Sequence, residues 1–219
     1  MRKLTKLGKP QILIDNADIW TKEYCDCLRA GKSPSKEIST RYNEDSIKER
    51  LERETNGKCA YCESKIKHIS YGDIEHILPK NKEARPDLYV EWSNLTLACE
   101  QCNRSGKRTY YDPQLLLINP YVDDPDEHFL NMGPLIMPIK GDDRAYITKQ
   151  VLKLNRSALV EQRTERIESV EVLLNCWEKE ERQSVKAILE EQLHNEYSDD
   201  KEYTSTIKEY LRQQGFPVK

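Results

Sequence analysis

The sequence predicts an α+β fold: a small metal-stapled ββα unit between a helical N-terminal lead and a C-terminal helical region. Two Cys-x-x-Cys pairs, Cys59/Cys62 and Cys99/Cys102, stand with 36 residues between them. Within that interval the apolar residues come in short, turn-punctuated runs, the pattern of brief strands. From Asn155 onward Leu159, Ile167, Val170, Leu173, Leu174 and Trp177 recur at helical spacing among dense Glu, Lys and Arg.

The elements follow in order. Ile12, Leu13, Ile14, Ile19 and Trp20 are the apolar clusters of the opening, read as a short extended lead and then a helix near 16–30. Ser46 with Glu49 three residues on is a capping box, Ile47 and Leu51 lie one turn apart, and Gly57 stops the helix that delivers the chain to Cys59. Short strands are expected at 66–71 and 74–78, with a further apolar run at 92–98. The stretch 112–150 holds five of the ten prolines and no helical period, so 112–154 reads as an irregular wrap. The polar cluster at 195–200 interrupts the C-terminal helices, and a last helix near 202–214 ends at Gly215 before Pro217. Four segments result: 1–58, 59–111, 112–154 and 155–219.

A chain of 219 residues can bury a real core, although only 37% is hydrophobic and 33% is charged. No apolar stretch approaches the roughly 18 residues that a membrane span needs. The start Met-Arg-Lys-Leu-Thr-Lys is followed by neither an apolar run nor a small-residue cleavage site, so a cytoplasmic protein without a secretory leader is expected. Net charge is −3, distributed as +3 over 1–58, +1 over 59–111, −4 over 112–150 and −3 over 151–219. A polyanion would meet the front half.

Seven cysteines in a reducing compartment favour metal binding or free thiols over disulfides. Tetrahedral zinc needs four soft ligands, and each Cys-x-x-Cys turn supplies one edge of the tetrahedron, so Cys59, Cys62, Cys99 and Cys102 form a candidate structural Zn²⁺ site. Redox thiols are the competing reading. Cys25, Cys27 and Cys176 have no partner set and read as plain thiols.

Between and beside the pairs stand Asp73-Ile-Glu-His-Ile-Leu-Pro-Lys80, Trp92-Ser-Asn-Leu95 and Cys102-Asn-Arg-Ser-Gly-Lys107. Phosphodiester hydrolysis needs a base for water, a divalent cation at the phosphate and a group that orients the base. His76, Glu75, Asn94 and Asn103 can supply these. A strand points Glu75 and His76 to opposite faces, so both serve one centre only near the strand's end or at a bulge. A His flanked by Ile74 and Ile77 is in general a packed core residue, but its place between the cysteine pairs favours chemistry.

With Tyr61-Cys62-Glu63 before them and Cys99-Glu-Gln-Cys-Asn103 after, these strings resemble the HNH (ββα-metal) endonucleases. The resemblance implies that His76 is the general base, that Asn94 constrains the loop and orients the base, and that Glu75 and Asn103 hold the catalytic metal. Asn stands where many members have His at the last position, and Glu where many have Asp. Both bind hard ions through oxygen, so Mg²⁺ or Mn²⁺ is expected. The opening Met-Arg-Lys-Leu, the lead 56–63, Ile118-Asn-Pro-Tyr121 and Leu152-Lys-Leu-Asn-Arg-Ser-Ala-Leu159 are similar to the PtuB nuclease subunits of Septu antiphage systems, which also occur beside some retrons. That likeness implies a bacterial defence nuclease acting on DNA with a PtuA-like ATPase subunit.

Lys80, Arg104, Lys107 and Arg108 are the expected phosphate contacts, and Tyr61, Tyr110 or Tyr111 the contacts to sugars or bases. His68 matches no motif position and reads as structural. The acidic tail either covers the nuclease core through Leu173, Leu174, Trp177, Ile188 and Leu189 or docks the ATPase. The alternatives are a stand-alone restriction or repair nuclease, and a non-catalytic zinc module that binds nucleic acid or protein.

Overall fold

The computed structural model describes residues 1–66 and 72–219. Helix α1 (Gln11–Arg29) begins directly behind Pro10, earlier than the periodicity around 16–30 indicated. The Ile12–Ile14 run is its first turn and not an extended lead, because Leu13 joins Ala17, Trp20, Tyr24 and Leu28 in one stripe against the core. Helix α2 (Lys36–Thr40) is capped by the Ser35 hydroxyl, which accepts from the Ile38 amide, and runs into a 3₁₀ turn at Arg41–Asn43. Helix α3 (Asp45–Thr55) buries Ile47 and Leu51 completely.

The capping box expected at Ser46 and Glu49 does not form. Ser46 already lies inside α3, whose N-cap is Glu44 with no side-chain cap bond. At the other end Asn56 takes the left-handed C-cap position at φ +53°, and Gly57 follows at φ +69°.

Strands β1 (Asp73–His76) and β2 (Leu95–Ala98) pair antiparallel, with Asp73 opposite Ala98 and His76 opposite Leu95. A 3₁₀ turn at Trp92–Asn94 takes up the start of the apolar run, so β2 opens only at Leu95. A single wide helical turn of π type, Gln101–Lys107, completes the ββα unit. The strand expected at 66–71 falls on residues that, apart from Ile66, lie outside the described ones, as does His68.

The 112–154 stretch contains more regular structure than its prolines suggested. Strands β3 (Phe129–Met132) and β4 (Leu135–Pro138) form a hairpin around Gly133 at φ +56°. Helix α4 (Asp143–Val151) follows, its first turn capped by the Asp142 carboxylate, which accepts from the Ala145 amide at 2.8 Å. Four-residue strands are too short for alternation to register, and α4 buries only Ala145 and Thr148, which leaves no apolar stripe to detect.

Helices α5 (Ser157–Lys179), α6 (Gln183–Glu196) and α7 (Thr204–Gln213) form their own core from Val170, Leu174, Leu193, Ile207, Leu211 and Phe216. Leu173 and Trp177 pack on that second core and Ile188 is 55% exposed, so these residues do not cover the ββα unit. The first core gathers α1, α3, the β1–β2 pair and Leu152, Leu154 and Leu159. Tyr203, the N-cap of α7, sits in the first core and is bonded there to Ser64 through their hydroxyls at 2.9 Å, and the Lys58 ammonium donates to the Lys201 carbonyl at 2.7 Å. Among the described residues no helix is long and apolar enough to cross a membrane.

Gly106 is where the π turn meets the end of α4. A Cβ there would lie 3.0 Å from the carbonyl oxygens of both Gln101 and Val151. Because both neighbours are backbone, Gly106→Ala is expected to cost about 1–3 kcal/mol by overpacking. An unchanged midpoint in denaturant unfolding would contradict it.

Candidate active site

The Cys59/Cys62 turn and the Cys99/Cys102 turn converge until all four Sγ atoms lie within 4.8 Å of one another. The Cys62 and Cys99 sulfurs are 3.8 Å apart. A tetrahedron of Zn–S bonds of about 2.3 Å has edges of about 3.8 Å, so the sulfurs fit one zinc ion. None of the seven cysteines is in a disulfide. Arg156, at the start of α5, places its guanidinium 3.6 Å from the Cys102 sulfur, 3.8 Å from Cys62 and 3.9 Å from Cys99. Burial works against that charge, and the neighbouring cysteines more than offset it, holding the Arg156 pKa above its usual value. Arg156→Gln is expected to speed zinc loss to a chelator about tenfold, since contacts behind a ligand shell commonly carry that much affinity. Equal release rates would contradict it.

His76 is the last residue of β1 and Glu75 the one before it, so both stand at the strand's exit. Its Nε2 lies 2.7 Å from the Tyr89 carbonyl oxygen. A carbonyl only accepts, so Nε2 carries the proton and Nδ1 keeps its lone pair. Burial, with help from the Lys80 and Lys107 cations, lowers the imidazole pKa to about 3. The ring is therefore neutral at physiological pH.

Asn94 clamps the chain just beyond His76. Its side chain accepts from the Leu78 amide at 2.8 Å and donates to the Leu78 carbonyl at 2.9 Å, while its own carbonyl accepts from the Ile77 amide. Glu75 is buried and paired with Lys107 at 2.6 Å. Burial pushes its carboxyl up, and Lys107 offsets part of that. Asn103 donates to Asp73 Oδ2 at 3.2 Å, and Arg104 grips the same carboxylate with two bonds of 2.8 and 2.6 Å.

Asp73 was not singled out by sequence reasoning, although the i, i+2 spacing from Glu75 puts the two carboxylates on one strand face. Tyr42, whose ring meets the His76 imidazole edge-on at 4.7 Å, was missed as well. Nothing in its local sequence marks it.

The expected phosphate contacts divide. Arg104 and Arg108 are exposed. Lys107 is 2% exposed and spends its ammonium on Glu75 and the His76 carbonyl, so it is an internal counter-charge and not a DNA contact. Lys80 turns inward: its ammonium donates to the Ser39 carbonyl and stands 3.7 Å over the Tyr42 ring, and burial lowers its pKa to about 8. Tyr61 is buried, which removes it as a base or sugar contact, and the half-buried Tyr110 gives its hydroxyl to the Leu115 carbonyl.

A short antiparallel pair closed by a helical turn, with a His on the first strand, an Asn clamp and a cysteine quartet at the base, is an HNH arrangement, and residues 59–108 match the HNH endonuclease family. The chain is 31% identical over 207 residues to Septu protein PtuB of Bacillus mycoides (strain KBAB4), covering 78% of this chain and 69% of that protein. It is 34% identical over 186 residues to Septu protein PtuB of Bacillus thuringiensis, covering 81% and 66%. The chain belongs to the PtuB family of Septu proteins, and it spans about two thirds of the length of these two relatives. It is also 29% identical over 142 residues to Septu protein PtuA of Bacillus mycoides (strain KBAB4), a match covering 52% of this chain and 20% of that protein. No solved structure matches it.

Proposed function

We propose that this chain is a metal-dependent endonuclease that hydrolyses DNA phosphodiester bonds as the nuclease subunit of a Septu-type defence complex. The observation that carries the reading is His76: a neutral imidazole at a strand end, its Nε2 committed to the Tyr89 carbonyl and its Nδ1 left to accept a proton. In this role Nδ1 takes the proton of the attacking water. Asn94 holds the segment leaving His76 so that the ring keeps its direction. Arg104, exposed beside Asp73, draws the scissile phosphate, and Arg108 extends the cationic rim.

Glu75, Asn103 and Asp73 offer only hard oxygen donors on one side of the ββα unit, a set that fits Mg²⁺ or Mn²⁺. Such an ion would supply Lewis-acid stabilisation of charge developing on the phosphate. Zinc at the four cysteines would be structural, its four positions filled by protein ligands.

The likeness to Septu proteins PtuB and PtuA supports a PtuA-like partner; that the partner is an ATPase and that the complex acts in the cytoplasm belong to the proposal. Helices α5–α7, acidic overall, are the proposed seat of that partner. Plasmid DNA incubated with Mg²⁺ and the purified chain, alone and co-purified with a co-expressed PtuA-like ATPase, tests the reading. Metal-dependent cleavage that EDTA stops is the expected result. An inert protein in both preparations would refute it.

A further inference from the structure

His76 is enclosed in part by residues that lie outside the matched segment 59–108. The 3₁₀ turn Arg41–Asn43 brings the Tyr42 ring edge-on to the imidazole, centroids 4.7 Å apart and planes at 82°. The same ring meets Tyr89 edge-on at 6.0 Å, and the Tyr89 ring runs parallel to the imidazole at 6.3 Å. Three further contacts fix where that turn sits. The Lys80 ammonium, 3.7 Å over the Tyr42 ring, donates to the Ser39 carbonyl. The Tyr89 hydroxyl donates to the Ile38 carbonyl, and the Arg41 amide donates to the Tyr89 hydroxyl at 3.2 Å.

A single hydrogen bond at Nε2 leaves an imidazole free to rock about that bond. A general base must hold its lone pair on the water it deprotonates, and small misplacements cost large factors in rate. The Tyr42 ring, packed on the imidazole with centroids 4.7 Å apart, opposes that rocking. An ordinary core tyrosine would be buried on all sides, whereas Tyr42 is half-buried and its phenol lies in the field of Asp73, Glu75 and Arg104. Its ring packs directly on the His76 imidazole.

We propose that Tyr42, held in place by Lys80, is a positioning residue for His76 supplied by the N-terminal lead. The proposal rests on the nuclease reading for its kinetic consequence alone. Two readouts on the full chain test it: plasmid-cleavage kinetics, and the rate at which diethyl pyrocarbonate modifies His76, followed by peptide mass analysis. Tyr42→Leu should lower kcat about 100-fold with KM within about threefold, and should speed His76 modification about tenfold, because the loss is of alignment and not of substrate binding. The conservative Tyr42→Phe should rescue both, and Lys80→Met should shift both in the same direction as Tyr42→Leu but less. Zinc content and thermal midpoint confirm that each variant is folded.

If Tyr42→Leu leaves kcat and His76 modification at the wild-type values, the proposal is overturned. It is equally overturned if Tyr42→Phe is as impaired as Tyr42→Leu, since the ring would then not be the acting group. Modification needs no turnover, so a wild-type protein inert toward DNA would defeat the nuclease reading while the role of Tyr42 was still decided.

Discussion

His76→Ala is expected to reduce plasmid cleavage by about 10²–10⁴-fold, the usual worth of a positioned general base. The imidazole is 7% exposed and its Nε2 satisfies the Tyr89 carbonyl, so removing it also orphans a buried acceptor. That adds a stability loss of about 1–3 kcal/mol. The two effects separate cleanly: rates are taken at a temperature where circular dichroism shows the variant folded, and zinc content should not change because no sulfur touches His76. Cleavage at the wild-type rate would end the assignment of His76 as the base. Asn103→Ala should also lose activity, and raised Mg²⁺ or Mn²⁺ should partly restore it, since a missing ligand first weakens metal affinity.

The second large effect is loss of the knuckle. One zinc per chain is expected, and its removal by a strong chelator, or Cys102→Ser, should unfold the region around 59–111 cooperatively. Binding free energies of about 10–16 kcal/mol for structural zinc are as large as the whole stability of a typical domain. The disturbance should also reach α5 and α7, because Arg156 contacts three of the sulfurs, Ser64 bonds Tyr203 and Glu63 accepts from the Ser205 hydroxyl. A zinc-free chain with an unchanged thermal midpoint would contradict this.

The parts legible in the sequence are those written in local spacing. Two Cys-x-x-Cys turns, a His after an acidic residue and an Asn ahead of a strand each declare themselves within a few residues. What sequence could not show is convergence. Tyr42 reaches His76 across 33 intervening positions, and Arg156 reaches the sulfurs from beyond the hairpin. Orientation within one turn was equally hidden: Arg104 and Lys107 stand three residues apart, yet one side chain is 66% exposed and the other 2%. The acidic tail was divided between cover and docking surface because its apolar positions looked alike, whereas the fold sends Leu174, Ile207 and Leu211 into a separate core. Deleting 199–219 would therefore remove core residues and confound any binding test. Glu191→Lys, at an exposed position, is the cleaner probe of partner docking, and unchanged co-purification would argue against α6 as the docking face.

Tyr89 holds the imidazole with its carbonyl, stacks on Tyr24 at 4.1 Å and exchanges hydroxyl bonds with Ile38 and Arg41. A single residue thus joins His76 to two helices of the lead. The consequence is one of portability: residues 59–108 are not a cassette. Transplanted into another protein they would carry the cysteines and His76 but leave behind the parts that hold Tyr89 in register. In exchanges between relatives, Tyr24, the 38–42 turn and Tyr89 should travel together, as one heritable unit.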